Sequence, residues 1–266
     1  MLVIVGFVII FGGVSVGFAM AAGGHGAMNF GAIGGLFHLN EFISLGGMVI
    51  GSCVVMAPMG VLKGVFKQGL GTLKGAPFSK ADYEELFQCM YELFQMGRKG
   101  GMIALEEHVM NPEASALFQK YPKFHGNHHA LEYMADGLKP IVDGRIKPDQ
   151  LEPLMARSLH TMEEEHHGPI LVMTKVADSL PAFGIVAAVL GIIVVMMFKI
   201  GGDTAVVGQG IATALAGTFF GIFGSYCMVG PIATNADFNG HAEMTYMKVI
   251  KASVISFANG LPPLVA

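Results

Sequence analysis

The sequence predicts an all-α integral membrane protein with four transmembrane helices and a helical cytoplasmic domain between the second and third of them. Two observations favour this class. Of the 266 residues, 53% are hydrophobic and only 14% are charged, whereas soluble domains carry about 25% charged residues. The charges are also concentrated, because residues 63–169 hold 27 of the 36 Asp, Glu, Lys and Arg side chains. Two apolar blocks therefore flank one water-facing block, and the net charge of −4 indicates no nucleic-acid partner.

Four apolar runs are long enough to cross the hydrocarbon core of a bilayer, which takes about 20 residues. They cover residues 2–22, 42–62, about 170–198 and about 204–235. The first run has an alternative interpretation as a secretory signal peptide, since Ala-Met-Ala-Ala at its end is similar to a cleavage site. It lacks the basic start of such a peptide, so we predict a membrane span.

The lysines and arginines predict which segments face the cytoplasm, where these residues are enriched. Twelve of them lie in 63–169, whereas the loop 23–41 has none. We therefore predict that the 63–169 segment and both termini are cytoplasmic. The predicted division is transmembrane helices 1 and 2 in 1–62, a cytoplasmic helical domain in 63–169, transmembrane helices 3 and 4 in 170–235, and a cytoplasmic C-terminal helix or tail in 236–266.

Helical signals recur through the charged segment. Ser79 followed by Asp82 matches a capping box, and apolar residues then recur at helical spacing. Asp149 is a candidate N-cap for a helix that runs towards the third span. The segment 241–259 is mildly amphipathic, which predicts either a surface helix at the cytoplasmic leaflet or a continuation of the fourth span.

Pairs of glycines spaced four residues apart occur in three of the four apolar runs. They are Gly13 and Gly17, Gly47 and Gly51, and Gly217 and Gly221. Small residues at this spacing let two helices approach closely. The pairs therefore predict close helix packing, either within the chain or between copies of it.

Six histidines form two clusters in the charged segment. His125, His128 and His129 have the H-x-x-H-H form found in membrane di-iron oxygenases, and His160, His166 and His167 follow them. An iron centre of that kind needs several imidazoles and carboxylates that converge on one side. The sequence has no earlier H-x-x-x-H box. We therefore predict no metal and no cofactor, and a membrane metalloenzyme stays the alternative from a different functional class.

Motifs for other chemistry are missing from the sequence. It contains no nucleophile elbow, Walker motif, Rossmann glycine pattern or H-E-x-x-H, so we do not predict an enzyme. None of the four predicted runs has an Asp, Glu, Lys or Arg near its middle, although a carrier of protons or ions normally needs one. If this protein moves an ion, the ionisable group is therefore expected from another chain.

Several long stretches resemble MotA, the family of A-subunits of the flagellar motor stator. Asp178–Gly191, with the sequence DSLPAFGIVAAVLG, resembles the third span of that family, and 217–233 resembles its fourth span. Gly97–Pro112 resembles its charged cytoplasmic helix, and 2–17 and 259–263 also fit. The resemblance covers essentially the whole chain. The third-span stretch is much longer, and therefore more specific, than a short motif.

This resemblance implies partners and a mechanism. Members of the family form a pentamer around two single-span subunits of the MotB type, and the B-subunit brings the aspartate that accepts the ion. Ion flow across the bacterial inner membrane drives the A ring around the B pair, and the cytoplasmic A domains push on the rotor protein FliG. Related ExbB and TolQ energisers of outer-membrane transport are the nearer alternative, but they have three spans.

The resemblance also implies site residues. It places the rotor-contact charges of the family at Arg98 and Glu106, its two functional prolines at Pro181 and Pro231, and its channel threonine at Thr218. Along one helix, the eight residues from Arg98 to Glu106 would span about 12 Å, but Gly100 and Gly101 between them favour a break.

Position 188 bears on the choice of ion. Sodium-type members of the family usually carry a second threonine in the third span, whereas this sequence has Ala188, as in proton-type members. An aliphatic side chain offers no ligand to a dehydrating Na⁺. Proton coupling is therefore predicted.

Overall fold

The computed structural model describes residues 2–23, 28–75 and 77–264, and over these ranges the chain is helical and has no β-strand. The helices are, in chain order, α1 Leu2–Gly23, α2 Leu39–Met56, α3 Met59–Gly71, α4 Lys80–Gly100, α5 Ile103–Met110, α6 Pro122–His125, α7 His128–Val142, α8 Pro148–Phe198, α9 Thr204–Phe223 and α10 Gly230–Ala258. Short 3₁₀ turns cover Phe30–Leu36, Thr72–Lys74 and Phe118–Lys120, and a π-helical turn covers Gly224–Val229.

Among the described residues, four helical stretches are long and apolar enough to cross a membrane, which confirms the predicted number of spans. They are Leu2–Gly23, Leu39–Met56, Pro148–Phe198 and Thr204–Ala258. The last of them runs from α9 through the π-helical turn into α10.

The chain divides into two compact units. The span unit comprises Met1–Gly75 and His167–Asp237, and the bundle unit comprises Ala76–His166 and Phe238–Ala266. Residues from Phe238 onward therefore pack with the middle segment of the chain.

The second span differs from its predicted limits of 42–62. Its helix α2 begins earlier, at Leu39, and ends at Met56. Ala57 is extended, and Pro58 precedes the first residue of α3. Proline lacks an amide hydrogen and disfavours helical geometry in the residue before it, so the apolar run is broken into two helices. The earlier start places Glu41 inside α2, where the prediction had placed it in a loop.

The bundle unit is built around apolar residues of α4, α7, α8 and α10. The predicted helical repeat of α4 is confirmed, because Leu86, Met90, Leu93, Phe94 and Gly97 are all buried. The capping box is confirmed too, since the Ser79 backbone N–H donates to Asp82 Oδ2 at 2.7 Å. Burial alone would raise the pKa of the Asp82 carboxyl, but hydrogen bonds from Ser79 and the charge of Lys123 outweigh it and hold that pKa below its usual value.

The segment 241–259 is not a surface helix on a membrane leaflet. It is part of α10, a continuation beyond the fourth span, and its apolar residues are buried in the bundle unit. They are Met244, Met247, Ile250, Val254 and Phe257. The ring of Phe257 stacks on Phe94 of α4 with 4.4 Å between centroids. The amphipathic pattern therefore reports a face that packs against protein.

The long helix α8 begins at Pro148, so Asp149 lies in its first turn and is not its N-cap. Proline is favoured at the first helical position because its missing N–H would have had no intrahelical partner. An acidic residue in the first turn still stabilises the helix through its dipole.

Candidate functional site

The predicted rotor-contact residues lie on two helices. α4 ends at Gly100, and Gly101 has a φ of +74°, a left-handed conformation that favours glycine. α5 then starts at Ile103. The predicted break at Gly100 and Gly101 is confirmed, so the 12 Å estimate for one continuous helix does not apply to Arg98 and Glu106.

Buried neighbours fix the two helices so that both charges face outward. Gly97 leaves room for Leu105 and Phe257, since a Cβ at Gly97 would lie 2.8 Å from each of them. Leu105 is fully buried on α5, and the adjacent Glu106 is exposed. Arg98 is exposed at the end of α4.

Arg98 is also held by the C-terminal turn of the bundle unit. Its Nη2 donates to the carbonyl oxygen of Gly260 at 2.7 Å. A cleft of about 240 Å³ adjoins this contact. It is lined by Tyr91, Gln95, Arg98, Lys99, Pro262, Pro263 and Leu264. No local pattern predicts this contact, because it joins residues 162 positions apart.

The predicted ion-pathway residues lie in the span unit, where α8 and α9 cross with their backbones in contact. A Cβ at Gly184 of α8 would lie 2.9 Å from the carbonyl oxygen of Gly217, and a Cβ at Gly221 would lie 2.7 Å from the carbonyl oxygen of Leu180. Of the three glycine pairs, Gly217 and Gly221 therefore pack against another helix of this chain. The contacts on α8 extend at least from Leu180 to Ala187, so the stretch includes Pro181 and reaches the residue before Ala188.

Thr218 lies in this crossing. Its Oγ1 is 3.5 Å from the carbonyl oxygen of Gly184, at the outer limit of a hydrogen bond. The hydroxyl thus faces the neighbouring helix. Ala188 is buried, one turn beyond Gly184.

Pro181 leaves one carbonyl of α8 without its intrahelical donor. In an α-helix that carbonyl belongs to the residue four positions earlier, which is Ala177. Ser225 Oγ donates to the Ala177 carbonyl oxygen at 2.6 Å, and Ser225 is only 2% exposed. A hydroxyl of the fourth span therefore replaces the backbone donor that Pro181 lacks.

The second proline follows directly on the π-helical turn that contains Ser225. The Gly230 N–H donates to the Ser225 carbonyl oxygen, five residues back, and Pro231 comes next. A proline ring crowds the carbonyl four residues before it in a regular α-helix, and a wider turn relieves this crowding. Pro181 and Pro231 are thus linked through one serine, which the sequence prediction did not select.

The two histidine clusters make separate local contacts. His125 Nε2 lies 3.0 Å from the Glu113 carbonyl oxygen, and His128 Nδ1 lies 3.3 Å from Glu113 Oε1. His160 lies 3.5 Å from Glu164, and His166 lies 4.0 Å from Glu243. Within residues 2–23, 28–75 and 77–264, no three His, Cys, Asp or Glu side chains are placed to hold a metal ion.

Comparison with known proteins decides the family. Residues 4–101 match the family model described as motility protein A N-terminal, and residues 126–248 match the MotA/TolQ/ExbB proton channel family. Motility protein A of Salmonella typhimurium is 32% identical over 266 residues, covering 100% of this chain and 87% of the relative. The chain belongs to the motility protein A family.

Other relatives agree with this assignment. The chemotaxis protein LafT of Vibrio parahaemolyticus is 32% identical over 236 residues, covering 89% of this chain and 82% of the relative. The solved structure of C. jejuni MotAB matches with a TM-score of 0.77 at 20% identity and covers 99% of this chain and 91% of that chain. The flagellar MotAB stator complex from Bacillus subtilis matches with a TM-score of 0.76 at 22% identity. The match covers 98% of this chain and 91% of that chain. These two structures confirm the fold.

Membership of the motility protein A family confirms the predicted family, and the four candidate spans among the described residues confirm the predicted class of membrane protein. The match over residues 4–101 is to a motility protein, which favours this family over an ExbB or TolQ energiser. The family is one of channels and not a known family of enzymes. The roles of the six predicted site residues stay predictions.

Proposed function

We propose that this chain is the A-type subunit of a proton-driven flagellar stator. With a single-span subunit of the MotB type, it conducts protons across the bacterial inner membrane and converts their flow into torque on the rotor. The observation that carries the proposal is the crossing of α8 and α9, which brings Thr218 and the Ala177 carbonyl freed by Pro181 onto one helix pair. The two matched structures are both MotAB complexes, which supports an assembly of A- and B-subunits.

The proton is favoured as the ion by the chemistry of the crossing. A sodium ion that sheds water needs oxygen ligands in its place. Ala188 is buried on α8 and offers none, while Thr218 supplies one hydroxyl from α9. A proton needs no such shell, because it passes between ionisable groups and water.

The rotor-contact surface is proposed to be the end of α4 and the start of α5. Arg98 and Lys99 expose positive charge there, and Glu106 and Glu107 expose negative charge. Charges at the rim of an interface determine orientation and partner choice more than affinity. An arrangement with both signs suits a charged surface of the rotor protein FliG.

Assembly as a pentamer around two B-subunits is supported by two glycine pairs that contact no other helix among the described residues. A Cβ at Gly13, Gly17, Gly47 or Gly51 would meet no heavy atom of the described residues within 4 Å. Small residues of this kind let further helices approach. The lysine and arginine distribution supports cytoplasmic termini and a cytoplasmic 63–169 segment.

Copurification tests this assembly. The chain is coexpressed with a tagged single-span B-subunit that carries a membrane aspartate, and the complex is purified through the tag. Native mass spectrometry is expected to give five copies of this chain with two of the B-subunit. A chain that fails to copurify, or a different ratio, would contradict the proposed assembly.

A further inference from the structure

Glu41 is a buried carboxyl in the span unit that neither the sequence prediction nor the proposed pathway uses. It lies in the first turn of α2 and is only 5% exposed. The predicted span of 42–62 excluded it, which led to the expectation that any membrane carboxyl comes from another chain. The structure instead places an acidic side chain of this chain within a candidate span.

Two glycines make the crevice that holds the carboxyl. A Cβ at Gly217 of α9 would lie 2.6 Å from Glu41 Oε2, and a Cβ at Gly191 of α8 would lie 3.5 Å from Glu41 Oε1. Ala187 and Ala214, both buried, line the same place. The carboxyl therefore occupies the space that a side chain at position 217 would need, and it lies at ordinary contact distance from position 191.

The two oxygens of this carboxyl have unequal surroundings. Asn40 Nδ2 donates to Oε1 at 3.3 Å. Oε2 is buried and has no hydrogen-bond partner among the described residues. Burying a carboxylate oxygen without a partner is costly, whereas the protonated form carries no net charge. The crevice thus suits a group that binds a proton.

Few other ionisable groups are near enough to compete for that proton. His38 precedes α2, and its carbonyl oxygen accepts the Glu41 N–H at 3.2 Å. Lys199 Nζ lies 3.6 Å from a Cβ position at Gly210, which is about 10 Å along α9 from Gly217. α1 and α9 have no Asp, Glu, His, Lys or Arg, and α8 has none beyond Asp178.

The two glycines of the crevice lie close along their helices to both residues predicted to line the ion pathway. Gly217 directly precedes Thr218 on α9, and Gly191 lies one turn beyond Ala188 on α8. We propose that Glu41 is a proton-binding site of this chain on the ion pathway, next to Thr218. A proton adds to Oε2 of the carboxylate and then leaves for the next acceptor, the carboxylate of the B-subunit. This inference rests on the proposed stator function.

Two variants remove the site by different means. Glu41→Gln keeps the size of the side chain but cannot exchange a proton. Gly217→Ala keeps the carboxyl but places a methyl group 2.6 Å from Oε2, so the carboxyl has to move. The matched controls are Asp203→Asn, an exposed helix cap of α9, and Gly208→Ala, where a Cβ meets nothing within 4 Å among the described residues.

Rotation of tethered cells is measured for each variant, coexpressed with the B-subunit and checked for membrane level by immunoblot. Glu41→Gln and Gly217→Ala are expected to slow rotation by at least about tenfold, since a positioned proton-transfer group contributes about 10²–10⁴-fold to a rate. Both controls are expected to rotate at the wild-type speed. Glu41→Gln rotating at the wild-type speed would overturn the inference.

Infrared spectroscopy of the purified complex gives a readout that a merely structural role would not change. The wild type is expected to show a band from a protonated carboxyl, lost in Glu41→Gln and shifted in Gly217→Ala but not in Gly208→Ala. If Glu41→Gln fails to reach the membrane, the test rests on Gly217→Ala. A Gly217→Ala complex whose infrared spectrum equals that of Gly208→Ala overturns the inference. A wild-type chain that supports no rotation contradicts the proposed function instead.

Discussion

Asp82 shows how one side chain makes the bundle unit sensitive to acid. The hydrogen bonds from Ser79 and the charge of Lys123 hold the pKa of this carboxyl below its ordinary value of 3.8, against the opposing effect of burial. A carboxyl whose pKa is lower in the folded state stabilises the fold above the unfolded pKa. That contribution is lost as pH falls through the folded pKa.

We therefore expect the melting temperature of the detergent-solubilised chain to fall as pH drops below 3.8, partly through Asp82. Asp82→Asn should make the melting temperature less dependent on pH below 3.8. Ser79→Ala should lower the free energy of unfolding by about 0.5–2 kcal/mol at neutral pH. The measurement is thermal unfolding followed by circular dichroism. Glu84→Gln, on the same helix but only in an exposed ion pair with Lys80, is the control. An Asp82→Asn curve parallel to the wild type below pH 3.8 would refute this role.

The two exposed charges at the α4–α5 turn should act in torque and not in folding. Exposed ion pairs contribute only about 0–1 kcal/mol to stability, but an interface depends on their sign. Arg98→Glu and Glu106→Lys are each expected to slow tethered-cell rotation while membrane levels stay normal. Lys80→Glu reverses an exposed charge at the other end of α4 and is expected to rotate normally. Normal rotation of both reversed variants would show that these residues do not contact the rotor.

At the level of helices, the crossing of α8 and α9 depends on the Ser225 hydroxyl, which replaces the backbone donor that Pro181 lacks. Ser225→Ala would leave the buried Ala177 carbonyl without a donor, which costs about 1–3 kcal/mol. Pro181→Leu would restore a backbone N–H at position 181 for the same carbonyl. In that background Ser225→Ala is expected to cost little.

A double-mutant cycle measures this dependence as a coupling energy, read from denaturant unfolding of the solubilised chain. We expect at least about 1 kcal/mol of coupling between Ser225→Ala and Pro181→Leu. Thr213→Ala is the control, because the Thr213 hydroxyl donates to the Gln209 carbonyl of its own helix. If Ser225→Ala costs equally in both backgrounds, the Ser225 hydroxyl does not replace the donor that Pro181 lacks.

Features that depend on nearby sequence could be predicted, and features that depend on distant contacts could not. The four spans follow from apolar runs, and the α4 capping box follows from residues three positions apart. The contact of Arg98 with Gly260 and the contact of Ser225 with Ala177 join residues 162 and 48 positions apart. Glu41 was missed for a local reason, since the start of α2 was placed three residues too late.

For the whole molecule, we expect a motor whose speed follows the proton gradient. The buried Ala188 offers no ligand to Na⁺, and Thr218 supplies one hydroxyl. The Glu41 crevice adds a second proton-binding group to the carboxylate proposed for the B-subunit. External sodium should therefore have no effect on the motor.

Rotation of tethered cells measures directly whether protons drive the motor. The chain is expressed with its B-subunit in a bacterium that lacks its own stator, and rotation speed is recorded while external sodium and a protonophore are varied at fixed pH. Rotation is expected to be indifferent to sodium and to stop when the protonophore collapses the gradient. Rotation speed that follows sodium concentration, or no rotation by a complex assembled in the membrane, would contradict it.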